Sequence, residues 1–236
     1  AEMIQRALEA NVTRFFIPAI DSTYTESMFQ LEKEFPDHVF LMMGLHPTHV
    51  KENYEDELRH VEQQLGERKF YAVGEIGIDL YWDKSTLPIQ IQDFKTQIKL
   101  AKRYKLPIVI HCRDAFDEIF EVLEEERSED LFGIFHCFTG DLEQAQKAIS
   151  YNMKLGIGGV VTFKNGKIDQ FINQIDLKHI VLETDSPYLA PKPYRGKRNE
   201  SSYIKEILEK LSELYGINEA TLAEITTKNS KDVFGI

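Results

Sequence analysis

Cysteine is scarce: Cys112 and Cys137 are the two in the chain, and no Cys-x-x-Cys pair occurs. That argues against a structural zinc site built on thiolates and suits a reducing cytosol. Each cysteine directly follows a histidine, so strand alternation turns it away from the face the histidine lines, and both read as buried, reduced thiols. Basic residues are in deficit, 28 Lys and Arg against 39 Asp and Glu, for a net charge of −11. This is the wrong sign for a protein that coats nucleic acid electrostatically, so any polyanionic substrate has to be held locally. No apolar run reaches the roughly 18 residues of a membrane span, and no signal-like apolar core is present. A Gly-x-Ser-x-Gly nucleophile elbow is missing. Gly156-Ile-Gly-Gly159 lacks both the Lys-Ser/Thr of a phosphate loop and the spacing of a dinucleotide fingerprint, which leaves tight packing at a strand end as its reading. An initiator Met is absent too, and the first ten residues are already an amphipathic helix, as though a segment preceded them.

What is present is a regular alternation. Short apolar runs at 13–20, 39–45, 70–74, 107–110, 132–135, 154–158 and 179–182 are separated by longer amphipathic stretches. In those stretches Ile91, Phe94, Ile98 and Ala101, and again Ile204, Ile207, Leu208 and Leu211, recur at steps of three and four. Strands apolar on both faces, alternating with helices, predict a parallel sheet covered by helices. The runs close at or near Ile20, His46, Glu75, His111, His136, Gly158 and Asp185, at intervals of 26, 29, 36, 25, 22 and 27 residues. Each interval fits one βα unit. An open doubly wound sheet would gather ligands at a single switch point, whereas here strand after strand ends on a functional group, which favours an α/β fold of the TIM-type (β/α)8 barrel. Seven units with a helix at the start lead to the expectation of a single barrel domain over 1–236 whose first strand lies outside the given sequence.

Four of these endings carry the chemistry. Glu75 sits between Gly74 and Gly77, His111 follows Ile110, His136 follows Phe135, and Asp185 lies in Glu183-Thr-Asp-Ser-Pro187. A carboxylate at the end of a buried strand is costly unless paired, and a metal ion is an economical partner. One histidine after an apolar strand is ordinarily a hydrogen-bonded core residue. Two of them, one unit apart and framed by Glu and Asp, point to a mixed nitrogen and oxygen site for Mg, Mn, Zn or Fe. Glu183 and Asp185 share a face by alternation, one to ligate and one to orient, and Asp185, nearer the rim, is the preferred ligand.

Gly44-Leu-His-Pro47, Gly74-Glu-Ile-Gly-Ile-Asp79, Ile110-His-Cys-Arg-Asp114, Phe135-His-Cys-Phe-Thr-Gly140, Glu183-Thr-Asp-Ser-Pro187 and Pro193-Tyr-Arg-Gly-Lys-Arg-Asn-Glu200 follow one another along most of the chain. Together they resemble the TatD-type metal-dependent deoxyribonucleases, barrel hydrolases related to amidohydrolases. The resemblance implies up to two divalent ions, Mg, Mn or Zn. Glu75 would bridge them, His111 and His136 would hold one, and Asp185 would hold the other. The family's His-x-His strand, which completes the second ion's shell, is not in the given sequence. The reaction the resemblance implies is hydrolysis of DNA phosphodiester bonds by metal-activated water, as an exonuclease, with Glu75 and Asp185 as the catalytic carboxylates. Single-stranded or frayed DNA ends would be the substrate of a monomeric cytoplasmic enzyme.

The substrate contacts are read from the residues around these motifs. His46 is placed either to reach a phosphate oxygen or to form a loop hydrogen bond before Pro47. Lys192-Pro-Tyr-Arg-Gly-Lys-Arg198 is the densest basic stretch of an acidic chain, and Arg195 or Arg198 is suited to pairing with phosphate, the alternative being a solvated loop. Arg113 either joins them or pairs with Asp114. Tyr81 and Trp82 either stack on a base or cover the barrel mouth. Two other functions stay open at this level, a barrel hydrolase of another bond, such as a cyclic amide or small phosphoester, and a non-catalytic binding protein.

Overall fold

The computed structural model describes residues 2–236, which run α1 (Glu2–Glu9), β1 (Phe15–Ile17), α2 (Thr25–Glu34), β2 (Val39–Leu41), α3 (Tyr54–Glu67), β3 (Val73–Asp79), α4 (Leu87–Tyr104) and β4 (Ile108–Arg113). There follow α5 (Phe116–Glu125), β5 (Gly133–Phe135), α6 (Leu142–Ser150), β6 (Met153–Ile157), β7 (Ile180–Leu182), α7 (Ile204–Tyr215) and α8 (Glu219–Phe234). All seven strands fall within or beside the apolar runs that predict them. The described residues pack as two compact units, Arg14–Ile134 and Phe135–Ile236 together with residues 2–13.

In the first unit β1 pairs in parallel with β2, and β3 with β4. β3 is buried along its whole length, as a strand covered on both faces must be. It also continues past Glu75 to Asp79, so the acid lies mid-strand rather than at a strand end. The ladder explains how a carboxylate is tolerated there. Gly74 pairs with Val109 and Ile76 with Ile110, leaving Glu75 as the extra residue of a bulge, a device that re-aims one side chain. Its N–H is donated to the Ala19 carbonyl at 3.3 Å, past the end of β1.

In the second unit β6 pairs in parallel with β7. The connection between them departs from the expected βα rhythm, because Gly159–Thr162, Ile168–Gln170, Ile172–Gln174 and Leu177–His179 form short 3₁₀ turns instead of an α-helix. Gly158, Gly159 and Asn165-Gly166 interrupt any sustained helical period in that stretch. α6 starts on a capping box in which Asp141 accepts from the Gln144 N–H and Gln144 accepts from the Asp141 N–H, worth about 1 kcal/mol. The bidentate Arg6–Glu200 pair, at 2.7 and 2.8 Å, ties α1 to the segment before α7.

The apolar face of α4 buries Phe94, Ile98 and Ala101 as its periodicity requires, yet Gln90, Asp93 and Gln97 are buried as well. Asp93 is wholly inside and accepts one hydrogen bond, from Gln97 at 2.8 Å. Burial pushes its carboxyl up to about 8. The unfolded chain releases that proton near pH 4, so the native state holds the proton more tightly and Asp93 lowers stability progressively as pH rises from about 4 to about 8. Thermal unfolding followed by circular dichroism at about pH 5 and about pH 8 should therefore show a smaller drop in Tm for Asp93→Asn than for the parent. Parallel pH profiles would mean that Asp93 is ionised in the native protein.

Candidate functional site

Within the first unit three groups converge. His46 Nε2 lies 3.3 Å from His111 Nδ1 and 3.7 Å from Glu75 Oε2, and His111 Nδ1 lies 3.3 Å from Glu75 Oε1. These separations are long for hydrogen bonds; the two of 3.3 Å match the edge of a tetrahedron around an ion with bonds of about 2.0–2.1 Å, roughly 3.3–3.4 Å, and the third is a few tenths of an ångström longer. The three donor atoms form a group able to hold a metal ion.

The second nitrogen of His111 decides which face it offers. Its Nε2 lies 2.8 Å from Asp79 Oδ2, so Nε2 carries the proton donated to that carboxylate and Nδ1 turns a lone pair toward Glu75. An imidazole lone pair facing a carboxylate oxygen is an arrangement that a shared cation satisfies, and the donor set of nitrogen and oxygen fits a divalent ion. Asp79 is 2% exposed. Burial works to raise its pKa, but the His111 ring and the Tyr81 and Trp82 N–H groups outweigh it and hold the carboxyl below its ordinary range. His46 is adaptable, since Thr48 Oγ1 at 2.7 Å from Nδ1 can accept a proton while the Thr48 N–H at 3.2 Å can donate one.

The second unit repeats the motif. His136 Nδ1 lies 2.7 Å from Glu183 Oε2, and His136 Nε2 lies 3.2 Å from Asp185 Oδ1. Glu183 thus takes the orienting role and leaves Nε2 facing Asp185. Its other oxygen accepts the Cys137 N–H at 2.8 Å. The glycines before the 3₁₀ turns now have a purpose, because a Cβ on Gly156 would come within 2.6 Å of Glu183 Oε2 and one on Gly158 within 3.1 Å of Oε1. Cys137 and Asp185 take left-handed backbone, φ 42° and 56°, a costly conformation for residues with a Cβ that is found disproportionately at functional sites. Asn199, 1% exposed, holds the Asp185 turn through hydrogen bonds of 2.5 Å to the Thr184 and Tyr188 carbonyls.

The expected substrate contacts take specific positions. Arg113 stacks its guanidinium 3.7 Å above the Tyr81 ring and 5.7 Å from that of Trp82. Both aromatics are exposed, Trp82 at 72%, and the Tyr81 N–H is donated to Asp79 Oδ1 at 3.0 Å. Arg195 and Arg198 are exposed; Arg195 lies 3.8 Å over Phe163 and donates to the Ala190 carbonyl. Cys112 and Cys137 are thiols, half-buried rather than buried as expected, and desolvation pushes that of Cys112 up to about 12, which disfavours its thiolate. Asp79 and Asn199 both lie inside motifs that carry the family resemblance, but nothing in their residue type or spacing marks them as supports.

A family model described as TatD related DNase matches residues 1–235. The chain belongs to that family. It is 40% identical over 237 residues to the uncharacterized metal-dependent hydrolase YabD of Bacillus subtilis, covering all of this chain and 92% of the relative. It is 30% identical to the metal-dependent hydrolase TatD of Mycobacterium tuberculosis, over 99% of this chain and 90% of that one. Among solved structures, the TatD homolog YJJV from Escherichia coli K12 matches with a TM-score of 0.92 at 29% identity, covering 100% of this chain and 91% of the other. The family member is accordingly a metal-dependent hydrolase with the expected α/β fold of the TIM-barrel type. Among the described residues no helix is long and apolar enough to cross a membrane.

Proposed function

We propose that this TatD-family chain hydrolyses phosphodiester bonds of DNA, acting as an exonuclease on single-stranded or frayed ends. The observation that supports it most is the His46–Glu75–His111 triangle with His111 already oriented by Asp79, in a chain whose family is described as DNases. The ligands in this reading are Glu75, His111, His136 and Asp185. A divalent ion at such donors makes water easier to deprotonate and offsets charge on the phosphate.

The chain's own residues supply the rest. Asp185 accepts the proton of the attacking water, and Glu75 contributes the charge that binds and balances the cation. Glu183 and Asp79 keep the imidazoles of His136 and His111 in the required tautomers. His46 joins these ligands, turning its Nε2 lone pair toward the cation in the tautomer that donates Nδ1–H to Thr48 Oγ1. Arg195 and Arg198 pair with phosphates along the strand, and Arg113 does the same from its seat on Tyr81. Residues 1–236 act as one catalytic domain, a reading supported by the extent of the family match. The reduced thiols suit the cytoplasm, and a monomer supplies every residue invoked.

End-labelled single-stranded DNA incubated with the protein and Mg²⁺ or Mn²⁺ tests this. Progressive shortening from one end is expected, internal fragments would replace exonuclease by endonuclease action, and uncut DNA would overturn the reading. Arg195→Ala combined with Arg198→Ala should raise KM for the oligonucleotide and reduce the slope of log affinity against log salt by about one unit per lost phosphate contact. An unchanged KM and slope would return both arginines to the solvated loop.

A further inference from the structure

We propose that Gln90 and Gln97 of α4 are positioning residues for the two histidines of the first unit, Gln90 acting through Asp79 on His111 and Gln97 acting through Leu45 on His46. The inference rests on the reading that these histidines serve a metal ion, and it adds the part of the chain that aims them.

Both glutamines are almost wholly inside, at 2% and 0% exposure. A buried primary amide is expensive unless its donors and acceptor are all engaged, and an apolar residue of similar volume would fill the space without that cost. Each amide here grips both backbone groups of a single residue. Gln97 Oε1 accepts the Leu45 N–H at 2.8 Å while its Nε2 donates to the Leu45 carbonyl at 3.0 Å. Gln90 Oε1 accepts the Asp79 N–H at 2.8 Å while its Nε2 donates to the Asp79 carbonyl at 3.1 Å. The remaining amide hydrogens are used as well, that of Gln97 on Asp93 Oδ2 at 2.8 Å and that of Gln90 on Thr86 Oγ1 at 2.8 Å. Both glutamines therefore have their amide planes fixed from two sides.

The residues they grip are not arbitrary. Leu45 immediately precedes His46 and lies beyond the end of β2 at Leu41. Asp79 is the last residue of β3 and the one that holds His111 Nε2. At both places the glutamine supplies the donor and acceptor that a neighbouring strand would otherwise provide. Positions 90 and 97 are two helical turns apart, about 10 Å along the axis, so one rigid helix sets two ligand-bearing backbone segments in a common frame. An error of a few tenths of an ångström in either segment would be carried into the 3.3 Å separation between His46 Nε2 and His111 Nδ1.

Co²⁺ titration of the full chain, followed by visible absorption, tests this without relying on turnover. Gln90→Met and Gln97→Met, which keep the volume and remove the amide, should each weaken Co²⁺ binding about tenfold or more and alter the absorption spectrum, as loss of outer support to a ligand does. Ile98→Val, a buried apolar change on the same helix, should lower Tm yet leave the Co²⁺ affinity and spectrum unchanged. Gln90→Asn and Gln97→Asn, which retain a polar amide but retract it by one methylene, give a second pair if the Met variants do not unfold cooperatively, and the same weakening is expected of them. Undiminished affinity and an unchanged spectrum in folded Met or Asn variants would overturn the positioning role alone. No Co²⁺ uptake by the parent protein would instead overturn the metal reading beneath it.

Discussion

Glu75→Gln is expected to lower kcat/KM on single-stranded DNA by about three orders of magnitude or more, equivalent to roughly 4 kcal/mol of lost transition-state stabilisation. The substitution preserves volume and hydrogen-bonding shape but removes the charge that a cation requires from the Glu75–His111–His46 group. Glu75 is the extra residue where the register between β3 and β4 shifts, and ladder pairing is made by backbone groups, which the substitution leaves in place. Far-ultraviolet circular dichroism and Tm should stay near those of the parent, and a neutral amide at an 8% exposed position is easier to bury than a carboxylate. Metal uptake should fall together with turnover. Cleavage at close to the parental rate would remove Glu75 from the centre of the mechanism.

Gly77→Ala is expected to be the most damaging small substitution near the site. Gly77 has φ of 141°, a conformation residues with a Cβ rarely adopt, and an added Cβ would meet the His111 carbonyl oxygen at 2.1 Å. Neither obstacle is the flexible end of a side chain. Relief requires β3 to move away from β4 where Gly77 pairs with His111, two residues before Asp79, the partner of the His111 ring. A cost of about 3 kcal/mol or more follows, which for a chain of this size lowers Tm by roughly 10 °C. Metal affinity should decline further than the stability loss alone would imply, since the His111–Asp79 contact spans the strands being parted. A variant with parental Tm and Co²⁺ binding would show that the local backbone can rearrange at little cost.

Much of this arrangement follows from sequence alone, for definable reasons. Strands buried on both faces are continuous apolar runs, so all seven were readable, and residues that end such runs with Glu, His or Asp stand out because burial of those groups has to be compensated. The family resemblance rests on short contiguous motifs around those same endings, and the family match along residues 1–235 agrees with it.

What needed the tertiary structure is whatever depends on pairing between distant segments. The bulge at Glu75 is a property of register with β4, which no local period encodes. Whether Glu183 or Asp185 orients His136 turns on which imidazole nitrogen each carboxylate meets. Arg113 acquires its aromatic seat because Asp79 draws the Tyr81 backbone inward. Gln90, Asp93 and Gln97, read along α4, have the composition of a solvated face, and only packing against β3 and Leu45 makes them interior. Residue type and period therefore decide which segments become strands and where the metal-seeking groups stand. The direction in which each of those groups points is settled by hydrogen bonds between residues tens of positions apart, and their partners become identifiable only when the chain has closed on itself.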